Sequence, residues 1–344
     1  MNYFGLSVNV DLTAGTAALP GYLRDVEAAG ADMVWVPEAY GRDAVSVLGF
    51  CAALTSRVRL GAGVLNVFSR SPALLAQSAA ALDELCGGRF ELGLGASGPQ
   101  VVEGWHGVAF DRPLRRTREV VEVCRSVWRR EILRHDGKTV QVPLSDSRPL
   151  KLMTRPVRAD IPVWLASLGP RNVALAAEIA HGWLPTLFVP ELADRVWGDD
   201  LLAGAARRDP ALPPLRIAAG AHVEVTTGDT AAVRTARDKA RPSLARYLGG
   251  MGAANANFYN DLVRRYGFTE DADRVQRLYL DGRQADAAAA LSDGLVEALT
   301  VCGPRSYVAD RLAAYRAAGV TDFRVNVNAG SDGPRAVEVL RELC

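Results

Sequence analysis

Val58-Arg-Leu-Gly-Ala-Gly-Val-Leu65, Ser71 to Cys86, and Arg89-Phe-Glu-Leu-Gly-Leu-Gly-Ala-Ser-Gly-Pro99 read as strand, helix and strand, and this unit decides the fold. Both strands are apolar on nearly every residue, as expected of a parallel sheet covered on both faces. Both break into glycine near their C-terminal ends, where a ligand can approach the backbone. Ser71 is placed as an N-cap with Pro72 at the first helical position, and Gly87-Gly88 ends the helix.

Outward from this unit the same rhythm repeats. Phe4 to Val10, Asp32 to Val36, Ile161 to Ala166, Trp183 to Phe188, Leu215 to Val225 and Phe323 to Val327 read as six further strands. Most are followed by a helix, at Leu19 to Ala29, Ala44 to Thr55, Arg112 to Arg130, Pro170 to Ala180, Glu191 to Arg207 and Arg335 to Leu343. A helix over Ser306 to Ala318 precedes the last strand. Alternation at this spacing predicts an α/β fold, a (β/α)8 TIM barrel, spanning 1–344 as a single domain. Two insertions interrupt it. Residues 131–160, after strand four, carry a small hairpin around Thr139-Val-Gln-Val142, and residues 230–300, after strand seven, are mostly helical. Within the second, Leu248 to Asn260 breaks the helical run.

Composition narrows the function classes. A formal net charge of +1, with Lys and Arg dispersed, points away from nucleic acid as a partner. The five cysteines are scattered without metal-ligand spacing, so no metal site is expected and a reduced, cytoplasmic setting is. No apolar run is long enough to cross a membrane, and no leader pattern opens the chain.

Gly93-Leu-Gly-Ala-Ser-Gly98 spells G-x-G-x-x-G, but it follows the fourth strand and meets Pro99, which argues against a dinucleotide fingerprint. A simple chain turn is the plainer alternative. Ser167-Leu-Gly-Pro-Arg-Asn172 opens a helix in a way that suits a phosphate or carboxylate. Glu38 lies just past strand two, where barrel enzymes place catalytic groups; it is either a proton donor or acceptor, or the partner of Arg42. His222 alternates within an apolar strand and reads first as a core histidine. Trp105 and His106 could line a pocket, as could Tyr247 and Phe258 of the helical insertion, which otherwise read as helix packing.

Five stretches carry a family resemblance in their order and spacing: Trp35 to Ala44, Arg59 to Val64, Gly87 to Pro99, Val102 to Gly107, and Ala166 to Asn172 followed by His181-Gly-Trp-Leu-Pro185. Together they resemble the luciferase-like monooxygenase superfamily, most closely its coenzyme F420-dependent oxidoreductases, over nearly the whole chain including Gly249 to Leu262. The resemblance implies a reduced flavin or deazaflavin at the C-terminal face, backed by a non-prolyl cis peptide at Gly63-Val64. It places the cofactor against Asn9, Glu38, Gly63, Val64, Asn66, Ala96, Ser97, Gly98, Ala166, Ser167, Leu168 and Gly169, with Glu38 at the reactive edge. Tyr40, Trp105, His106, His222, Tyr247 and Phe258 are the expected substrate pocket. Glu38-Ala39 lacks the acid-histidine pair of the superfamily's sugar-phosphate dehydrogenases, and luciferase's ring-side histidine is also missing. The expected activity is hydride transfer from reduced F420 to an electrophilic C=C, C=N or C=O of a small molecule or a peptide-derived specialised metabolite. An FMN-dependent monooxygenase and a non-catalytic flavin or deazaflavin binder are the alternatives. A homodimer through the helices after strands two and three is implied by the resemblance alone.

Overall fold

The computed structural model describes residues 4–10, 15–252, 257–327 and 332–344. Twelve strands occur among them: β1 Gly5–Asn9, β2 Met33–Val36, β3 Arg59–Ala62, β4 Leu65–Asn66, β5 Phe90–Gly95, β6 His135–Asp136, β7 Gln141–Val142, β8 Val163–Ala166, β9 Gly182–Trp183, β10 Arg216–Val225, β11 Thr300–Gly303 and β12 Asp322–Val325. Parallel pairing runs β12-β1-β2-β3-β5-β8-β9-β10 and returns from β10 to β12, closing an eight-stranded barrel with surrounding helices. The (β/α)8 expectation holds. The helix of the opening unit, Pro72–Leu85, starts as its sequence dictates, with the Ser71 side chain accepting from the Leu74 amide at 3.2 Å.

Both insertions are where the sequence puts them. The first holds the antiparallel β6-β7 hairpin, anchored by Glu119, whose carboxylate accepts from the Lys138, Thr139 and Val140 amides and the Thr139 hydroxyl at 2.7–2.9 Å. The second contains helices including Thr230–Asp238, Phe258–Arg265 and Thr269–Leu280, and it breaks between Gly250 and Asn257; residues 253–256 of that stretch lie outside the described residues. Two differences stand out. Thr300–Gly303, at the end of the insertion, is a strand rather than helix and pairs in parallel with the upper half of β10 from His222 to Val225. Trp183 to Phe188 is strand only at Gly182–Trp183, because Pro185 has no N–H with which to continue the ladder.

Side chains alternate across a strand, and the inward set forms layers. At the N-terminal end sit Arg59, Glu91, Arg216 and Asp322. Arg59 pairs with Glu91, Arg216 Nη2 lies 2.6 Å from Asp322 Oδ1, and Arg216 Nη1 lies 3.4 Å from Glu91 Oε2. Above them Trp35 and Trp164 meet edge to face at 5.4 Å, in a small apolar cluster with Met33, Leu184 and Ala218. The Trp164 indole N–H donates to Glu91, tying the two layers together. Gly61 and Gly182 make room for these indoles; a side chain at Gly61 would enter Trp35, and one at Gly182 would enter Trp164. No described helix is long and apolar enough to cross a membrane.

Candidate functional site

The C-terminal mouth of the barrel opens above the two indoles. Here β3 is interrupted: the Gly63-Val64 peptide is cis, and pairing resumes at Leu65 and Asn66 against Leu94 and Gly95. The expected cis bond is therefore present. Gly63 and Val64 are partly exposed, whereas Gly61, Ala62, Leu65 and Asn66 around them are buried. A Cβ on Gly95 would stand 2.8 Å from Val64 Cγ2 and 3.7 Å from Ala166 Cβ, so glycine keeps the space in front of the bulge open. Ala96 and Ala166 are small and partly exposed beside it, and Asn9 is half-buried at the end of β1.

Two loops flank this opening. Ser97 is exposed and takes a left-handed φ of 59°, and Gly98 follows as the N-cap of Pro99–Gly104. Across β5 and β8, Ser167 to Gly169 lead into the helix Pro170–Ile179. Two buried indoles hold that second loop: Trp183 donates to the Ser167 carbonyl and Trp197 to the Leu168 carbonyl, each at 3.0 Å. Those carbonyls are thus fixed toward the protein interior. Gly98 and Gly169 both have open space where a Cβ would be.

Glu38 is differently employed from a free acid. Its Oε1 accepts from the Ala44 amide at 3.1 Å and from Arg70 Nη2 at 2.8 Å, and its Oε2 from Arg70 Nη1 at 2.8 Å. The partner is Arg70, not the neighbouring Arg42. Arg70 also pairs with Asp43, which caps the helix Ala44–Leu54 through the Ser46 amide at 2.7 Å. The Glu38 and Arg70 side chains are 10% and 15% exposed, so the fork shields its own hydrogen bonds from water. Donating a proton from this carboxyl requires opening that pair.

The remaining expected pocket residues divide. Tyr40, Trp105 and Phe258 stand exposed, and His106 is half-buried after the helix Pro99–Gly104. Tyr247 packs on Tyr259 with ring centroids 4.9 Å apart. His222 is buried with neither ring nitrogen hydrogen-bonded; Glu224 Oε2 lies 3.8 Å from Nε2, and burial pushes its pKa down, favouring the neutral ring. Sequence reading missed Trp35, Arg70 and Arg324. For Arg324 a signal existed: Asp322-Phe-Arg324-Val sets two charged residues at alternate positions of an otherwise apolar strand, hence on the inner face.

Buried polar atoms without a hydrogen-bond partner gather at this end: Trp35 Nε1, Asn66 Nδ2, Ser167 Oγ, both His222 nitrogens and Arg324 Nε. Unsatisfied groups of this kind are uncommon in folded proteins and require an explanation. Ser167 Oγ, the open Gly98 and Gly169 backbone and the small residues before the bulge fit a flat ring carrying an anionic tail. Among the described residues no group of three or more His, Cys, Asp or Glu side chains is placed to hold a metal ion.

Comparison with known proteins agrees with this geometry. A family model described as luciferase-like monooxygenase matches residues 4–322. A Mycobacterium tuberculosis protein provisionally named a coenzyme F420-dependent oxidoreductase is 42% identical over 315 residues, covering 89% of this chain and 88% of the relative. The 5,10-methylenetetrahydromethanopterin reductase of Archaeoglobus fulgidus is 27% identical over 325 residues, 93% of this chain and 92% of the relative. Among solved structures, the coenzyme F420 dependent tetrahydromethanopterin reductase from Methanopyrus kandleri superposes with a TM-score of 0.82 at 22% identity, covering 98% of this chain and 97% of that one. That last likeness speaks for the fold.

Proposed function

We propose, from the premise that this chain belongs to the luciferase-like monooxygenase family, that it is an oxidoreductase using coenzyme F420. When bound, the deazaflavin supplies hydride chemistry at its C5, exchanged with an electrophilic C=C, C=N or C=O of a small-molecule substrate. The observation that carries this reading is the partly open Gly63-Val64 cis bulge facing Gly95 and Ala166, together with the F420-dependent name of the 42% identical relative. Gly63 and Val64 back the ring. The backbone at Gly98 and Gly169, with the Ser97 and Ser167 hydroxyls, receives the phosphate of the tail.

The protein's own share is alignment and exclusion of water. Trp35 and Trp164 floor the well so that the ring stops above them. Trp183 and Trp197 keep the Ser167 loop in one conformation. Glu38, held ionised against Arg70, sets the loop between Pro37 and Ala44 rather than serving first as an acid. The reading includes a homodimer, supported by the exposed Phe50 and Leu54 on one of the two expected helices and Leu74 and Leu85 on the other.

The test is a titration of the purified protein with F420 and, separately, with FMN. Quenching of F420 fluorescence at low micromolar concentration, with FMN ignored, is the expected result. Tight FMN binding accompanied by oxygen uptake would overturn it.

A further inference from the structure

Arg324 stands near the C-terminal end of β12, two residues above Asp322 on the inner face. The two differ in one respect. Asp322 is paired with Arg216 in the charged layer below, whereas no described carboxylate lies within ion-pair distance of Arg324. Its hydrogen bonds are two contacts of 3.4 Å from Nη2, to the Pro185 carbonyl and the Thr186 hydroxyl; Nε has no partner. The residue is 9% exposed, and that remnant opens on the mouth beside Tyr247 and Tyr259. Burial works against its charge, with only the two tyrosine hydroxyls opposing. A desolvated cation without an anion costs several kcal/mol of stability, and nothing in the packing of β12 demands arginine there.

We infer that Arg324 is the anchor for a carboxylate on the substrate, which makes the substrate a monoanionic acid whose reducible bond is held over the ring by its acid end. The inference rests on the mouth being the active site. A carboxylate is favoured over a phosphate by charge: one guanidinium balances one negative charge, and a phosphate monoester carries nearly two. The aromatic and apolar neighbours, Trp35, Trp164, Leu184, Tyr247 and Tyr259, offer no second cation, and His222 is kept neutral by burial. A bidentate guanidinium–carboxylate pair also fixes orientation, which hydride transfer needs.

The experiment compares wild type with Arg324→Met, both first titrated with F420 and then melted in its presence with sodium benzoate, benzamide or inorganic phosphate at matched ionic strength. Arg324→Met is expected to bind F420 as wild type does and to melt at or above the wild-type temperature, since an uncompensated charge has gone. Benzoate at ten times its dissociation constant should raise the wild-type melting temperature by about 3 °C and leave the variant unmoved, with benzamide inert on both. A variant that melts lower and an equal response of both proteins to benzoate, or none, would overturn the inference in favour of a packing role. Stabilisation by phosphate alone overturns the carboxylate assignment, and loss of F420 binding in the variant moves Arg324 to the cofactor. Should Arg324→Met not fold, Arg324→Gln carries the same comparison. An Arg324-dependent benzoate response in a protein that binds no F420 would sink the proposed cofactor while sparing this inference.

Discussion

Replacing Glu38 by Gln separates a positioning role from an acid role. The glutamine keeps one oxygen to accept from the Ala44 amide and one Arg70 N–H, but it turns an N–H2 toward Arg70 Nη1, where an oxygen now accepts at 2.8 Å. One charge-assisted hydrogen bond is lost, worth about 1.5–3 kcal/mol. The full cost of about 3–5 kcal/mol for stranding a buried charge does not arise, because Arg70 retains Asp43. The expected destabilisation is therefore about 2 kcal/mol, or about 4 °C in a chain of this length. Denaturant titration of Glu38→Gln, Arg70→Met and the double variant gives the coupling between the two side chains, expected to be at least about 1 kcal/mol. F420 affinity should stay within about 3-fold of wild type, less than one lost hydrogen bond to the ring would cost. A coupling near zero with unchanged melting would refute the positioning role and return Glu38 to candidacy as the proton donor.

Four further outcomes are expected. Ser167→Ala removes a buried hydroxyl that has no partner, so stability should hold or rise slightly while F420 affinity drops about 10-fold, measured by fluorescence quenching. Gly95→Val fills the space before the bulge, with its Cβ 2.8 Å from Val64 Cγ2, and should weaken F420 binding more than 10-fold without changing the circular dichroism spectrum. For Glu119, burial pushes the pKa up, but the Thr139 hydroxyl and the three hairpin amides outweigh it and bring the value down to about 2. A carboxyl with a depressed folded pKa contributes stability above its unfolded value, lost as pH falls toward the folded one. Wild type should accordingly lose about 3 kcal/mol between pH ~4.5 and ~2, and Glu119→Gln should be less stable at neutral pH and lack that acid-dependent part in urea titrations. Phe50→Glu, on the exposed face of Ala44–Leu54, should turn a dimer into a monomer in light scattering; a wild type that is already monomeric refutes the proposed interface.

The barrel was legible because its strands are short apolar runs separated by capped helices, and caps such as Ser71 and Asp43 are local signals. What escaped was non-local. Thr300–Gly303 is too short to announce itself beside a helical stretch, and it becomes a strand only because β10 outruns its barrel neighbours and leaves an edge to pair with. The Glu38–Arg70 fork joins residues that a loop, a helix and a strand separate, so the nearer Arg42 looked the natural partner. The glycines at 63, 95, 98 and 169 were readable as places of close approach, whereas the indoles beneath and behind them owe their roles to layering inside a closed barrel.

The layer of Arg59, Glu91, Arg216 and Asp322 sums to no net charge and is stoppered from above by Trp35 and Trp164. A barrel so corked at one end is a blind shaft with traffic through a single door. Two ligands that share it must queue: the one seated deeper enters first and leaves last. Steady-state kinetics of such a shaft is compulsory-order, and an analogue of the outer ligand should trap the inner one, slowing its release without touching it.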